Sequence, residues 1–191
     1  AIRTKYFWYL IWFLPLGGAF IWFIYHQFGK SVANGMKMVF HVGLGKNTKL
    51  PIRMVPLSVI GTWTTHLFGG SAGREGVAVQ IGAAVSNNIG RLVDKTIDIE
   101  NSRKMFLITG MAAGFSGLFC TPLAAIFFAL EVLVAGKLEY HALIPATVAS
   151  ISAAFTSRAL GLRKFHINIL ETLNYHPSTY NAVLLLKLAA M

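Results

Sequence analysis

The stretch "GGSAGREGVAVQIG", Gly69 to Gly82, sets an arginine and a glutamate side by side in a glycine-rich, otherwise apolar neighbourhood. Uncharged sequence precedes the pair from Met54 to Gly73 and follows it from Gly76 to Gly90. Four glycines in "GGSAGREG" allow a tight turn and a close backbone approach. A helix is predicted to begin after that turn and to run from Val77 to Leu92. Its first-turn amides lack helical partners, and with the helix dipole they favour an anion. Glu75 stands at the mouth and is well placed to be that anion. It can simply cap the helix, paired with Arg74, or it can be a titratable group that yields its place to a mobile anion. A phosphate loop fits less well, because Gly73 to Gly76 follows neither the Walker pattern nor the dinucleotide fingerprint.

The rest of the chain says what medium surrounds this turn. Hydrophobic residues make up 55% of the 191 residues and charged ones only 13%, with a mean hydropathy of +0.59. A soluble helical protein would show polar faces that these segments lack. The expectation is an all-α integral membrane protein, multi-pass, in contact with membrane lipid. The net charge of +10 reflects seven acids against 17 lysines and arginines. These basics flank apolar runs rather than alternating with aromatics, so no nucleic acid is expected as a partner. Five basics and no acid between Lys30 and Arg53 place that segment on the cytoplasmic side.

Tyr6 to about Tyr25 is predicted to form a first apolar span, kinked near Pro15, Gly17 and Gly18. A short helix follows from near Met36, with Asn34 and Gly35 at its entry. Pro51 opens another, ending near Phe68. Ser102 begins a helix in which Gly110 and Gly114, extended by Gly117, allow close helix packing. Pro122 starts a helix to about Ala135, His141 one to about Ala159, and a last one begins near Tyr180. Several of these are too short for a full crossing, and such broken helices are tolerated where their ends face protein or a cavity. Cys120, the single cysteine, is expected to be buried and inert. The histidines show no zinc spacing, and no metal or other cofactor is expected; His41 and His66 are expected to pack near the interface. No signal peptide is seen, and both ends read as cut through apolar sequence.

"GREGVAVQIG" resembles the GREGP or GKEGP motif of the CLC chloride channels and anion/proton antiporters. "ITGMAAGFSGLFCTPLAAIFFALEVL" is similar to that family's next stretch, and "ANGMK" lies where the family carries GSGIP. The resemblance covers nearly the whole chain and implies a CLC-type fold of broken and tilted helices. Residues 1–191 would form most of the first of two inverted-topology halves, lacking the earliest helices and ending at the start of the second half. Glu75 would be the gating glutamate and proton carrier. Asn34, Gly35, Met36, Arg74, Gly76 and Val77 would border the anion, mostly through backbone amides, with the Arg74 side chain structural. Departures from the chloride pattern matter: Val77 replaces a proline, Asn34 a serine, Met36 an isoleucine and Lys37 a proline. Glu131 is followed by Val132, where the chloride antiporters carry a second glutamate. Glu131 itself reads more readily as structural. The branch it resembles best is the bacterial fluoride/proton antiporters.

The resemblance implies fluoride export coupled to proton entry, with fluoride or chloride ions and protons as partners, a homodimer, and a bacterial inner-membrane location. A chloride channel or chloride/proton antiporter is the nearest alternative. A membrane-embedded enzyme using Glu75 as acid or base would need a second polar group, and only Arg74, Ser71 and His66 are near in sequence; no enzyme is expected. A missing second half, supplying a pore tyrosine and a further helix N-terminus, would leave the fragment inert alone.

Overall fold

The computed structural model describes residues 12–30, 32, 34–46, 49–93, 102–133 and 136–162. Every regular element among them is helical: α1 Leu14–Phe28, α2 Gly35–Gly43, α3 Met54–Leu67, α4 Arg74–Val93, α5 Ser102–Phe119, α6 Pro122–Glu131, a 3-10 turn Tyr140–Ala142, and α7 Leu143–Ala159. The helix from Pro122 ends at Glu131, a turn short of the expected close near Ala135, while the start of the first span at Tyr6 and the helix near Tyr180 lie outside the described residues.

α4 and α5 form the centre. On α4 the buried set Val79, Ala83, Asn87 and Gly90 recurs every three or four residues, which is one stripe of a helix. α5 is buried more widely, through Leu107, Ile108, Gly110, Met111, Ala112 and Ser116. Between the two helices the backbones touch. A methyl group on Gly82 would strike the Gly110 carbonyl, one on Gly110 would strike the Gly82 carbonyl and Ser86, and one on Gly114 would strike the Ala78 carbonyl. This is the small-residue packing expected of helices in lipid, where no hydrophobic driving force pulls them together and van der Waals contact must do so. Ser86 adds a hydrogen bond, its Oγ donating to the Phe106 carbonyl at 2.5 Å. Gly117 belongs to a different contact, lying 3.8 Å by a built Cβ from Ala153 of α7 rather than against α4.

The order of these contacts fixes direction. Gly90 meets Phe106, Gly82 meets Gly110 and Ala78 meets Gly114, so α4 and α5 are antiparallel. Gly43, at the end of α2, packs on Leu107 and Leu133, while Gly35, at its start, packs on Gln80. α2 therefore runs in the same direction as α4. Leu50 and Met54, fully buried, anchor the turn before α3 in the core, and Asn88 of α4 donates from Nδ2 to the Leu50 carbonyl at 3.0 Å. α1 reaches the bundle through α3, with Tyr25 over Gly61.

The apolar run Met105–Leu130 is interrupted where Cys120 takes φ +52, a left-handed conformation at the end of α5. Pro122 then opens α6. Three hydrogen bonds brace this corner: Ser116 Oγ donates to the Ser150 carbonyl at 2.7 Å, Ser150 Oγ to the Pro122 carbonyl at 3.0 Å, and the Cys120 thiol meets Ser157 Oγ at 3.6 Å. The cysteine is buried as expected.

Among the described residues no helix is long and apolar enough to cross a membrane. α1 has the composition but only 15 residues, about 22 Å of helix against the roughly 30 Å of a hydrocarbon core. α4 has 20 residues, but Arg74, Glu75, Gln80, Asn87, Asn88 and Arg91 lower its hydropathy.

Gly82→Val should destabilise the protein by about 1–3 kcal/mol or more, because the colliding atoms are main chain that cannot swing aside. Gly117→Ala, which meets only a methyl at contact distance, should change little. The temperature at which each variant loses its monodisperse peak on size exclusion in detergent checks the difference.

Candidate anion site

α4 begins at Arg74, three residues earlier than the sequence implied, and runs through Val93 rather than Leu92. The physical reason is local. Arg74 is a good helix former and Glu75 gains from the positive end of the dipole in the first turn, so together they draw the turn into the helix. The preceding turn keeps Gly69 at φ +86. Arg74, Glu75, Gly76 and Val77 thus form the first turn itself. The close approach expected at Gly73 and Gly76 is not used among the described residues, since a Cβ on either would meet nothing within 4 Å.

Glu75 is exposed on this chain. No hydrogen bond or ion pair engages it among the described residues, so the capping partnership with Arg74 does not form. Its carboxylate stands at a helix mouth with no partner among the described residues.

The second cluster sits at the start of α2. Gly35 is the first residue of that helix, one position before the expected start at Met36, and takes φ +47. Asn34 occupies the N-cap position, yet its side chain makes no capping bond and is exposed. Met36 is half-buried and packs against the hydrophobic core. Because α2 and α4 run the same way, the N-termini of both point toward one end of the bundle. They are not level. Gly35 lies beside Gln80, six residues into α4, which is about 9 Å along its axis from Arg74. Cβ atoms tilt toward the helix N-terminus, so Glu75 leans outward from α2. Gln80 is the α4 side chain that meets the α2 entry. Gln80 was not singled out by sequence reasoning, although its spacing of four from Gly76 puts it on the same face of the helix.

The remaining polar groups lie elsewhere. His66 Nδ1 is 2.9 Å from the Thr62 carbonyl and so carries its proton there. His26 stacks on Trp22 at 5.0 Å. No group of metal-ligating side chains forms among the described residues. Glu131 accepts the Gly136 N–H at 3.3 Å, tying off the end of α6; this is the structural part foreseen for it. A cavity of about 240 Å³ lined by Lys104, Met105, Ile108, Glu139, His141 and Ala142 opens at the opposite end of α4 and α5 from Glu75. In its wall Lys104 Nζ lies 2.7 Å from Glu139 Oε1.

Short helices with two N-termini directed to one end, in so apolar a chain, are the arrangement expected of a helical membrane protein of the broken-helix kind. Residues 17–190 match the voltage gated chloride channel family, and the chain belongs to it. It is 39% identical over 163 residues to a chloride/fluoride channel protein of Pseudomonas syringae pv. tomato, covering 85% of this chain and 35% of the relative. It is 35% identical over 117 residues to the H(+)/Cl(-) exchange transporter ClcA of Citrobacter koseri, covering 60% of this chain and 22% of the relative. Among solved structures, that of a CLC-type fluoride/proton antiporter matches with a TM-score of 0.80 and 44% identity, over 98% of this chain and 45% of that one. The chain therefore spans from about a fifth to under half of the length of these proteins. The all-α CLC membrane fold expected from the sequence is the fold observed, as a part of the whole.

Gly35→Ala should cost about 1–2 kcal/mol from its left-handed backbone alone, since the new methyl would only touch Gln80 at 3.4 Å. Gly73→Ala, in open space, should be near neutral. Paired denaturant melts of the two variants check this.

Proposed function

We propose that this chain is the part of a fluoride/proton antiporter that carries its gate. One observation carries the reading: Glu75 is unpaired in the first turn of α4, at the same end of the bundle as the free entry of α2. An ionised Glu75 occupies the donor-rich end of its helix. Once protonated it loses its charge and its claim on those amides, and an anion takes its place. Exchange of carboxylate for anion then couples anion movement to a proton. Asn34, Gly35 and Met36 on one side and Arg74, Gly76 and Val77 on the other border the path, chiefly through backbone N–H groups.

Residues 1–191 are in this reading the greater part of the first of two inverted halves, and the remainder of the protein covers the exposed end at Glu75. An uncovered carboxylate would feel bulk water and gate nothing, so the reading requires that cover. Fluoride is preferred over chloride because Asn34 and Met36 stand where the chloride pattern has serine and isoleucine. Val132 follows Glu131, so no second acid relays the proton, and Glu75 itself carries it. Leu123 and Phe127 of α6 and Ile144, Val148, Ile151 and Phe155 of α7 are exposed apolar side chains. Such a surface suits lipid and a second copy in a homodimer, in a bacterial inner membrane. The relatives are named as channels and transporters, which favours transport over acid–base catalysis by Glu75.

In liposomes carrying the full-length protein that contains this chain, fluoride efflux should exceed chloride efflux and draw protons inward. Glu75→Gln should abolish the proton flux. Equal fluoride and chloride rates would point to the chloride branch, and an unaltered proton flux in Glu75→Gln would remove Glu75 from the gate.

A further inference from the structure

We infer that the cavity between the starts of α5 and α7 binds the phosphate of an anionic membrane lipid, whose chains lie along α7. The site stands at the opposite end of the bundle from Glu75 and does not depend on the role of that residue.

The cavity lies where two helices begin together. Lys104 faces Glu139, Ser116 bonds to Ser150 and Gly117 approaches Ala153, so α5 and α7 run parallel. Their N-termini share one end, and the cavity of about 240 Å³ opens between them. Helix starts favour an anion through their amides and dipoles. Lys104 and His141 add side-chain donors on the walls, and Lys137, two residues before Glu139, is exposed beside them. No hydrogen bond or ion pair engages the side chains of Lys137 and His141 among the described residues.

One anion is already present, and it does not take up these donors. Glu139 holds the N-cap position of the turn into α7, yet its side chain makes no capping bond. Its Oε1 is buried 2.7 Å from Lys104 Nζ, with no hydrogen bond aligned to it. The carboxylate steadies the ammonium from behind, while the main-chain N–H groups of Tyr140 and His141 have no described acceptor. An ammonium carries three N–H donors, so Lys104 keeps more than one for a ligand.

Depth and shape point to lipid as the source of the phosphate. Lys46 after α2, Arg91 in the last turn of α4 and Lys104 gather at this end. By the positive-inside rule it is the cytoplasmic end, where anionic lipid attracts basic pockets between helices. Tyr140, exposed beside the cavity, is the aromatic type that settles at the headgroup level. The volume is below the roughly 300–1,000 Å³ of a pocket that engulfs a drug-sized molecule. It suits a phosphate and its adjoining glycerol, with the remainder outside. Met105, Ile108 and Ala142 give the cavity an apolar floor. Ile144 and Val148, exposed three and seven residues after His141, continue that surface along α7 for an acyl chain.

The test titrates the full-length protein in detergent with phosphatidylglycerol, followed by native mass spectrometry. One lipid per protomer should bind ahead of the rest, and neither phosphatidylcholine nor millimolar inorganic phosphate should displace it. Lys104→Gln combined with Glu139→Gln removes the pair without stranding either charge, and should weaken that first lipid about tenfold or more. Lys137→Gln combined with His141→Gln alters only exposed side chains, and should weaken it about fivefold at an unchanged melting temperature. Lys49→Gln removes an exposed lysine at the same end but outside the cavity, and should leave binding as it was. An equal loss in Lys49→Gln and in the Lys137 and His141 variant would overturn the inference, because it marks diffuse attraction to the surface. Pocket variants that bind as wild type does, or phosphatidylcholine bound as tightly as phosphatidylglycerol, would overturn it as well. Displacement by inorganic phosphate would make the cavity a free-phosphate site and overturn the lipid assignment. Should the Lys104 and Glu139 variant fail to fold, the Lys137 and His141 variant decides alone.

Discussion

The bundle depends on one contact in which no side chain intervenes. Where α4 crosses α5, Gly82 faces Gly110 and Gly114, and main chain meets main chain. Such a contact has almost no tolerance: a single methyl on either face forces the helices apart, and nothing can rotate out of the way. In return it fixes the relative height of the two helices. From that height follow the rest. Phe106 falls opposite Gly90, Leu107 falls against Gly43, and α2 is held alongside α4 with its entry beside Gln80. The placement of Glu75 relative to Asn34 and Met36 is thus set by glycines more than a turn away from any of them.

The order of helices was legible in the sequence, because proline, glycine and charge punctuate apolar runs clearly. Their ends were less so. The helix after the glycine turn was expected from Val77, and the structure starts it at Arg74, since four glycines weigh toward a turn in a reading by residue type while Glu75 gains from the helix dipole. Pro51 was expected to open a helix that instead begins at Met54. The helix from Pro122 closes at Glu131, where the carboxylate folds back to the Gly136 N–H and stabilises the exit. That bond depends on a glycine five residues on, which periodicity does not register.

For the candidate site, the charged and glycine-rich residues announced themselves, and the relative placement of the two helix entries did not. Glu75 is conspicuous because a carboxylate in apolar sequence needs a reason. That the α2 entry stands beside α4, near Gln80, follows only from the direction of α2. The antiparallel pairing of α4 and α5, which determines that direction, comes from which glycines meet which, and a count of small residues does not say. Gly117 illustrates the point: it continues the glycine spacing of α5 yet turns toward α7.

The corner at Cys120 has a mechanical meaning. A joint between two short helices ordinarily invites bending, but this one is clamped from within: serines 116 and 150 tie the carbonyls on either side, and the thiol leans on Ser157. To flex it would mean breaking largely buried polar contacts whose groups would be left unpaired. The corner thereby ties α5, α6 and α7 to one another. Bending at the corner would therefore cost all three contacts at once.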